Sequence, residues 1–513
     1  MVRRGIIASL VILPFIVASR PVLAHGFGER YDLPVPLNFF LVGAAATVAF
    51  SFLVIGYFVG RSKQSSNYPK YNLLSNQLIG MLITNRFVIQ LIKSISVTLF
   101  LITLATAFLG DNEPTNNFSP TFVWIIWWVG IAYITAFFGN IWLVINPWKI
   151  IFSLVDSRIN KSTIGRDRWL FQYPKYLDVW PGIIIFFAFI WIENIYSGGA
   201  IPNKLGVLIL SYSIITWTGM FLFGKHAWLK HGEAFSILFG LLSRLSPSEI
   251  GVLDTNACTN CYQGCYPHNL QCVDCLECFE NSDRSDRLVN IRPYAIGLSR
   301  PENISIGSMI FVLLTLASVT FDGLTATSLW LDFQNAIHPI ADILGIASSA
   351  GIGTFGLLML PILFLGIYIV FSFLMSAFSG GYLSTYKTTT LFVYSLIPIA
   401  FAYHLSHYQS YLVIQGQHII PLISDPFGYG WDIFGTQTFR VDISIINAKF
   451  VWISSVIAIV IGHIMSVYVA HLISLREIPD RSKALQSQYP MLLLMIFYTA
   501  ISLWIIAQPI VQH

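Results

Sequence analysis

Charge is what this chain has least of. Only 11% of its 513 residues are Asp, Glu, Lys or Arg, against about a quarter in soluble domains. That scarcity excludes a soluble globular enzyme, a disordered chain and a nucleic-acid binder. No fixed-period repeat and no low-complexity tract is present, which removes the solenoid architectures. Cysteine is rare as well, six in all. What remains is a chain that is 55% hydrophobic and 15% aromatic, with mean hydropathy +0.68. Apolar runs of about 20 residues recur along it, each long enough to cross a ~30 Å hydrocarbon core as a helix. The expected fold is an all-α integral membrane protein whose first partner is the lipid bilayer.

Residues 1–24 read as a cleaved signal peptide: Arg3 and Arg4, an apolar stretch from Gly5 to Ala18, then Val22-Leu23-Ala24. Cleavage after Ala24 would expose His25, whose amine and imidazole suit copper; a coincidental histidine is the alternative. Ten spans follow, near 38–60, 87–109, 121–146, 181–200, 205–224, 305–325, 352–376, 390–412, 450–474 and 490–509. The domains are then 25–224 with five helices, a loop domain at 225–304, and 305–513 with five more. The net charge of +4 reflects an asymmetry between sides. With alternating loops, 21 Lys and Arg fall on one side, from Arg61 to Lys483, and only Arg30, Lys204, Arg440 and Lys449 on the other. The positive side is cytoplasmic. The reading is therefore an inner (plasma) membrane protein with both mature termini outside and the 225–304 loop in the cytoplasm.

Within that loop, Glu233 to Leu245 reads as an amphipathic helix at the membrane interface. The 413–450 connection, carrying Ser424-Asp425-Pro426-Phe427-Gly428, is expected to form an ordered outer cap. Residues 333–351, broken by Pro339 and Gly345, read as a re-entrant or surface segment. Trp124, Trp127, Trp128, Trp142 and Trp148 suit interfacial belts, and Asn140 suits a helix–helix contact.

All six cysteines fall within 21 residues: Cys258-x2-Cys261-x3-Cys265-x6-Cys272-x2-Cys275-x2-Cys278, with His268 between the halves. Disulfides would need an oxidising compartment, and free redox thiols would need no metal. Paired Cys-x2-Cys turns can build a tetrahedral zinc site. Cys272-x2-Cys275-x2-Cys278 resembles the first three cysteines of the bacterial ferredoxin motif, although Ser282 and Asp283 stand where that motif has its fourth Cys and its Pro. That resemblance implies an iron–sulfur cluster with a fourth ligand from Cys258, Cys261, Cys265 or His268. Iron–sulfur is the better match, because a third thiolate at this spacing would crowd a single zinc.

Polar groups inside the bilayer are costly and mark cavities or partners. Glu193, Asp322, His404 and His407 fall at similar depth in the outer half, the two histidines one turn apart on one face. They are expected to form a polar pocket. His463 and His471, eight apart on the ninth span, are either packing residues or, with His404, ligands of haem b. Two classes of function compete. One is a membrane redox protein passing electrons from a Cys-ligated centre to a quinone, haem, metal or redox partner protein near the pocket. The other is a transporter with a structural or regulatory zinc knot. A non-catalytic assembly subunit of a membrane metalloenzyme is a third reading.

Overall fold

The computed structural model describes residues 31–59, 68–159, 170–253, 258, 261, 272–300, 302–343 and 345–512. The signal segment, His25, Cys265 and His268 lie outside the described residues. Ten helices are long and apolar enough to cross a membrane: α1 Leu37–Phe58, α2 Arg86–Leu109, α3 Phe118–Phe137, α4 Trp180–Asn194, α5 Pro202–Phe223, α6 Ile306–Thr325, α7 Ser349–Phe378, α8 Thr385–Ser424, α9 Ala448–Glu477 and α10 Arg481–Ala507. All ten expected spans are there. Several starts are set by side-chain caps that satisfy the first free N–H groups: Asn85 for α2, Ser305 for α6, Asn447 for α9 and Asp480 for α10.

The helices are not equivalent. The most apolar stretch of α8 is 89% buried, whereas that of α2 is 11% buried, so α8 is the central helix and α2 faces lipid. Phe50, Leu53, Leu101 and Ile362 project outward from α1, α2 and α7, as expected where lipid tails replace water.

Six short strands complete the fold. β1 (Tyr31–Asp32) pairs in parallel with β6 (Val511–Gln512), joining the two ends of the described chain. The other four form one sheet in the order β2 (Tyr71–Asn72), β5 (Arg287–Ile291), β3 (Ser248–Val252), β4 (Cys272–Val273). The connection after α1 and the Cys-rich loop thus share one extramembrane unit.

Four local expectations are corrected. The helix at Ala234–Leu242 does not lie at an interface. None of its residues is exposed, and it packs against α3, α4 and α8, with Phe235 reaching Phe189 (ring centroids 5.0 Å) and Trp128 (6.1 Å). Its nine residues are apolar nearly all round, the pattern of a buried helix rather than an amphipathic one. Second, the third span stops at Phe137; Gly139 takes φ +145°, and the chain restarts as helices Trp142–Ile145 and Pro147–Ile159. Third, Trp128, Trp142 and Trp148 are buried inside the bundle, not in belts. Fourth, Asn140 Oδ1 is buried without a hydrogen-bond partner among the described residues, so its carbonyl glues no helices. Of the two options for 333–351, the surface segment is found: helix Ser328–Ile343 is largely exposed, with Trp330 and Ala341 buried beneath it.

Candidate metal centre and membrane polar cluster

The cysteines converge on a small apolar nucleus beside the sheet. Cys272, Cys275 and Cys278 are buried with Val252, and Cys278 has no exposed surface. Two sets of thiols have their sulfurs within 4.8 Å of one another: Cys258, Cys272 and Cys278, and Cys261, Cys275 and Cys278. The Cys261 and Cys275 sulfurs are 3.5 Å apart, and Cys261 Sγ lies 3.3 Å from Glu277 Oε2. None of the five described cysteines is in a disulfide. This cluster can hold a metal ion.

The turn that presents Cys275 is set by charge. Asp274 adopts φ +55°, a left-handed conformation that Asp tolerates better than most residues. Its carboxylate accepts from Ile250 N at 3.2 Å and from Arg300 Nη1 at 2.7 Å. Behind it, Glu249 accepts from Arg292 (2.9 Å), Arg300 (2.8 Å), Asn290 (3.1 Å) and Tyr68. The Glu249 and Arg292 side chains are wholly buried. Burial beside Glu249 pushes the Tyr68 phenol up from its ordinary range.

The cluster is docked onto the bundle by a second ionic contact. Glu280, two residues past Cys278, meets Lys149 Nζ at 2.6 Å, Lys225 Nζ at 3.5 Å and His226 Nε2 at 3.6 Å. Burial alone would raise the Glu280 carboxyl, but Lys149, Lys225 and His226 override it and hold it at about 2. Gly139 leaves room for the same unit, because a Cβ there would collide with the Ser248 side chain of β3.

In the membrane, all four expected pocket residues come together. Tyr408 is the hub: its hydroxyl contacts Glu193 Oε1 at 3.0 Å and also Asp322 Oδ2. Trp128 Nε1 donates to Glu193 Oε1 at 2.7 Å, and His407 Nε2 lies 2.9 Å from Asp322 Oδ2. The His404 ring packs on Tyr408 (4.7 Å) and Trp128 (5.6 Å), and neither of its nitrogens has a hydrogen-bond partner among the described residues. The arrangement is a hydrogen-bonded chain across α4, α6 and α8. Composition pointed to the ionisable members; Tyr408 and Trp128, neutral residues in aromatic-rich helices, carried no signal of their role.

His463 and His471 do not join it. His463 Nδ1 is 2.8 Å from Ile459 O. One residue earlier, a Cβ on Gly462 would overlap Ala402 and sit 2.8 Å from Pro398 O, so α8 and α9 are in close contact beside it. His471 places its nitrogens 3.2 Å from Gln488 Oε1 and 3.3 Å from Val59 O, a packing role.

A third feature runs from the docking contact of the Cys-rich unit toward the polar cluster. Next to Lys149, Trp148 begins a run of ring contacts: Trp148 to Trp142 at 6.0 Å, Trp142 to Trp127 at 5.7 Å, Trp127 to Phe235 at 4.6 Å and Phe235 to Trp128 at 6.1 Å. Trp128 then bonds Glu193. Along this run the short helices Trp142–Ile145 and Ala234–Leu242 meet at Glu233, which is fully buried and accepts from Trp142 (3.3 Å), Asn146 (3.4 Å), Tyr212 and the backbone N–H of Phe235 and Ser236. No protein-family model, curated protein or solved structure matches this chain.

Proposed function

We propose that this chain is a membrane redox protein that passes electrons between a Cys-ligated iron–sulfur centre on the cytoplasmic side and a quinone or other redox partner bound near the polar cluster in the outer half of the bilayer. The aromatic run from Trp148 to Trp128 carries the reading, because it gives a route of closely spaced rings between centres otherwise separated by much of the bilayer. The thiolates of Cys258, Cys261, Cys272, Cys275 and Cys278 would hold the cluster, which supplies a one-electron couple when bound. The two overlapping sulfur triplets suit more than one metal, and the Cys272-x2-Cys275-x2-Cys278 spacing is what favours iron–sulfur over zinc. The Lys and Arg asymmetry supports the cytoplasmic placement.

Protein purified without oxygen tests this. Iron, acid-labile sulfide and a visible chromophore that bleaches on reduction are expected, with re-oxidation slowed in Trp142→Leu and Trp127→Leu. Stoichiometric zinc without a chromophore overturns it. The short buried helices meeting at Glu233 favour a second reading, a transporter with a structural zinc knot, since broken helices inside a bundle are common in carriers. That reading takes over if the metal is zinc.

A further inference from the structure

Tyr408 carries one hydroxyl hydrogen, yet its oxygen is in hydrogen-bond contact with two carboxyl groups, Glu193 and Asp322. It can donate to only one of them. The other contact is a hydrogen bond only if that carboxyl carries a proton and donates it to the tyrosine oxygen. Asp322 already has His407 at 2.9 Å. Glu193 forms no ion pair among the described residues and is held by Trp128 and Tyr408, and an ionised carboxylate so placed inside a bilayer is expensive. A second observation points the same way: His404, 7% exposed and packed on both Tyr408 and Trp128, has two ring nitrogens with no hydrogen-bond partner among the described residues, an unused base beside the chain.

We propose that Glu193, Tyr408, Asp322 and His407 form a proton relay in the outer half of the membrane, loaded at rest with one exchangeable proton on Glu193. In the transfer step the Glu193 O–H bond breaks as the tyrosine oxygen takes that proton, and the Tyr408 O–H bond breaks as Asp322 Oδ2 takes the other. One proton has then moved from α4 to α6 with no change in total charge, leaving Asp322 neutral beside His407 Nε2. The other titratable groups around the chain are Tyr403 and Tyr411 on α8 and Tyr133 on α3, whose hydroxyl contacts the backbone oxygens of His404 and Leu405. The relay rests on the redox reading only for its purpose, which is to balance charge where the aromatic run ends.

Infrared spectroscopy of the full chain in lipid nanodiscs at neutral pH tests it. A protonated-carboxyl C=O band that moves down in D2O is expected, lost in Glu193→Gln and shifted in Tyr408→Phe. Its hydrogen–deuterium exchange should slow about a hundredfold in Tyr408→Phe and in His407→Ala, the lower end of what a positioned proton carrier contributes. Absence of the band, or a band and exchange rate unchanged in these variants, overturns the proposal. Should Glu193→Gln fail to fold, Tyr408→Phe, which removes one oxygen atom, decides. The band is also read in Cys278→Ser: its persistence there supports a relay independent of any metal, and its loss there with an otherwise folded chain counts against one.

Discussion

Glu280 shows how one side chain can tie a metal centre to a membrane bundle. Its carboxyl is held near 2 by Lys149, Lys225 and His226, well below the ordinary value of 4.5. A depressed acid stabilises the docked form fully above its unfolded value and loses that contribution as pH falls through the folded one. The Glu280 carboxylate should therefore be fully ionised for docking above about 4.5, and docking should weaken progressively as pH falls toward 2. Protease cleavage of the 225–304 region, followed against pH, checks this. Glu280→Gln should open the region at neutral pH, costing about 1–2 kcal/mol once the carboxyl's partial exposure is allowed for; no change in cleavage would mean that the sheet alone holds the unit. At the same scale, Cys278 belongs to both sulfur triplets, whereas Cys261 belongs to one. Cys278→Ser should abolish metal retention and Cys261→Ser should only reduce it, as read by metal analysis of purified protein.

Among elements, the spans were legible and the short buried helices were not, for a physical reason. A lipid-crossing helix advertises itself by an uninterrupted apolar run, and all ten did so. The stretch Ala234–Leu242 is equally apolar but too short to cross, and its amphipathic reading set Phe235, Leu238, Phe239 and Leu242 against Arg244. What turns it inward is Glu233, a cap whose donors Trp142, Asn146 and Tyr212 come from distant parts of the chain, a relation no local pattern carries. The cysteine cluster was legible from spacing, while the salt-bridged frame behind Asp274 depends on long-range pairing of β3 with β5. Two substitutions probe these elements. Glu233→Ala removes a cap and leaves a buried indole N–H and a buried amide short of an acceptor, so a loss of about 2–4 kcal/mol is expected, measured as lowered thermal stability. Arg292→Met takes one of two guanidinium partners from the buried Glu249 carboxylate, leaving Arg300, and should cost about 1–3 kcal/mol, with the Cys-rich unit melting before the bundle.

For the molecule as a whole, the pairing of β1 with β6 puts both ends of the described chain on one side of the bundle, as an even number of spans requires. The Cys-rich unit leaves from α5 and returns through α6, an odd number of crossings from the start, so it must lie on the opposite side. This is geometry, and it holds whichever side is which. The proposed cytoplasmic placement of the Cys-rich side rests on the positive charges, and it has a direct consequence for the chemistry. Thiols facing a reducing compartment stay available to a metal; thiols facing outward would pair as disulfides. Impermeant thiol reagents applied to intact cells should therefore leave the Cys258–Cys278 cluster unlabelled, while permeabilisation and chelation should expose it. Reporter fusions at the C-terminus should be active outside the cell. Labelling without permeabilisation would invert the topology, move the polar cluster to the cytoplasmic half and reverse the direction in which the aromatic run carries electrons.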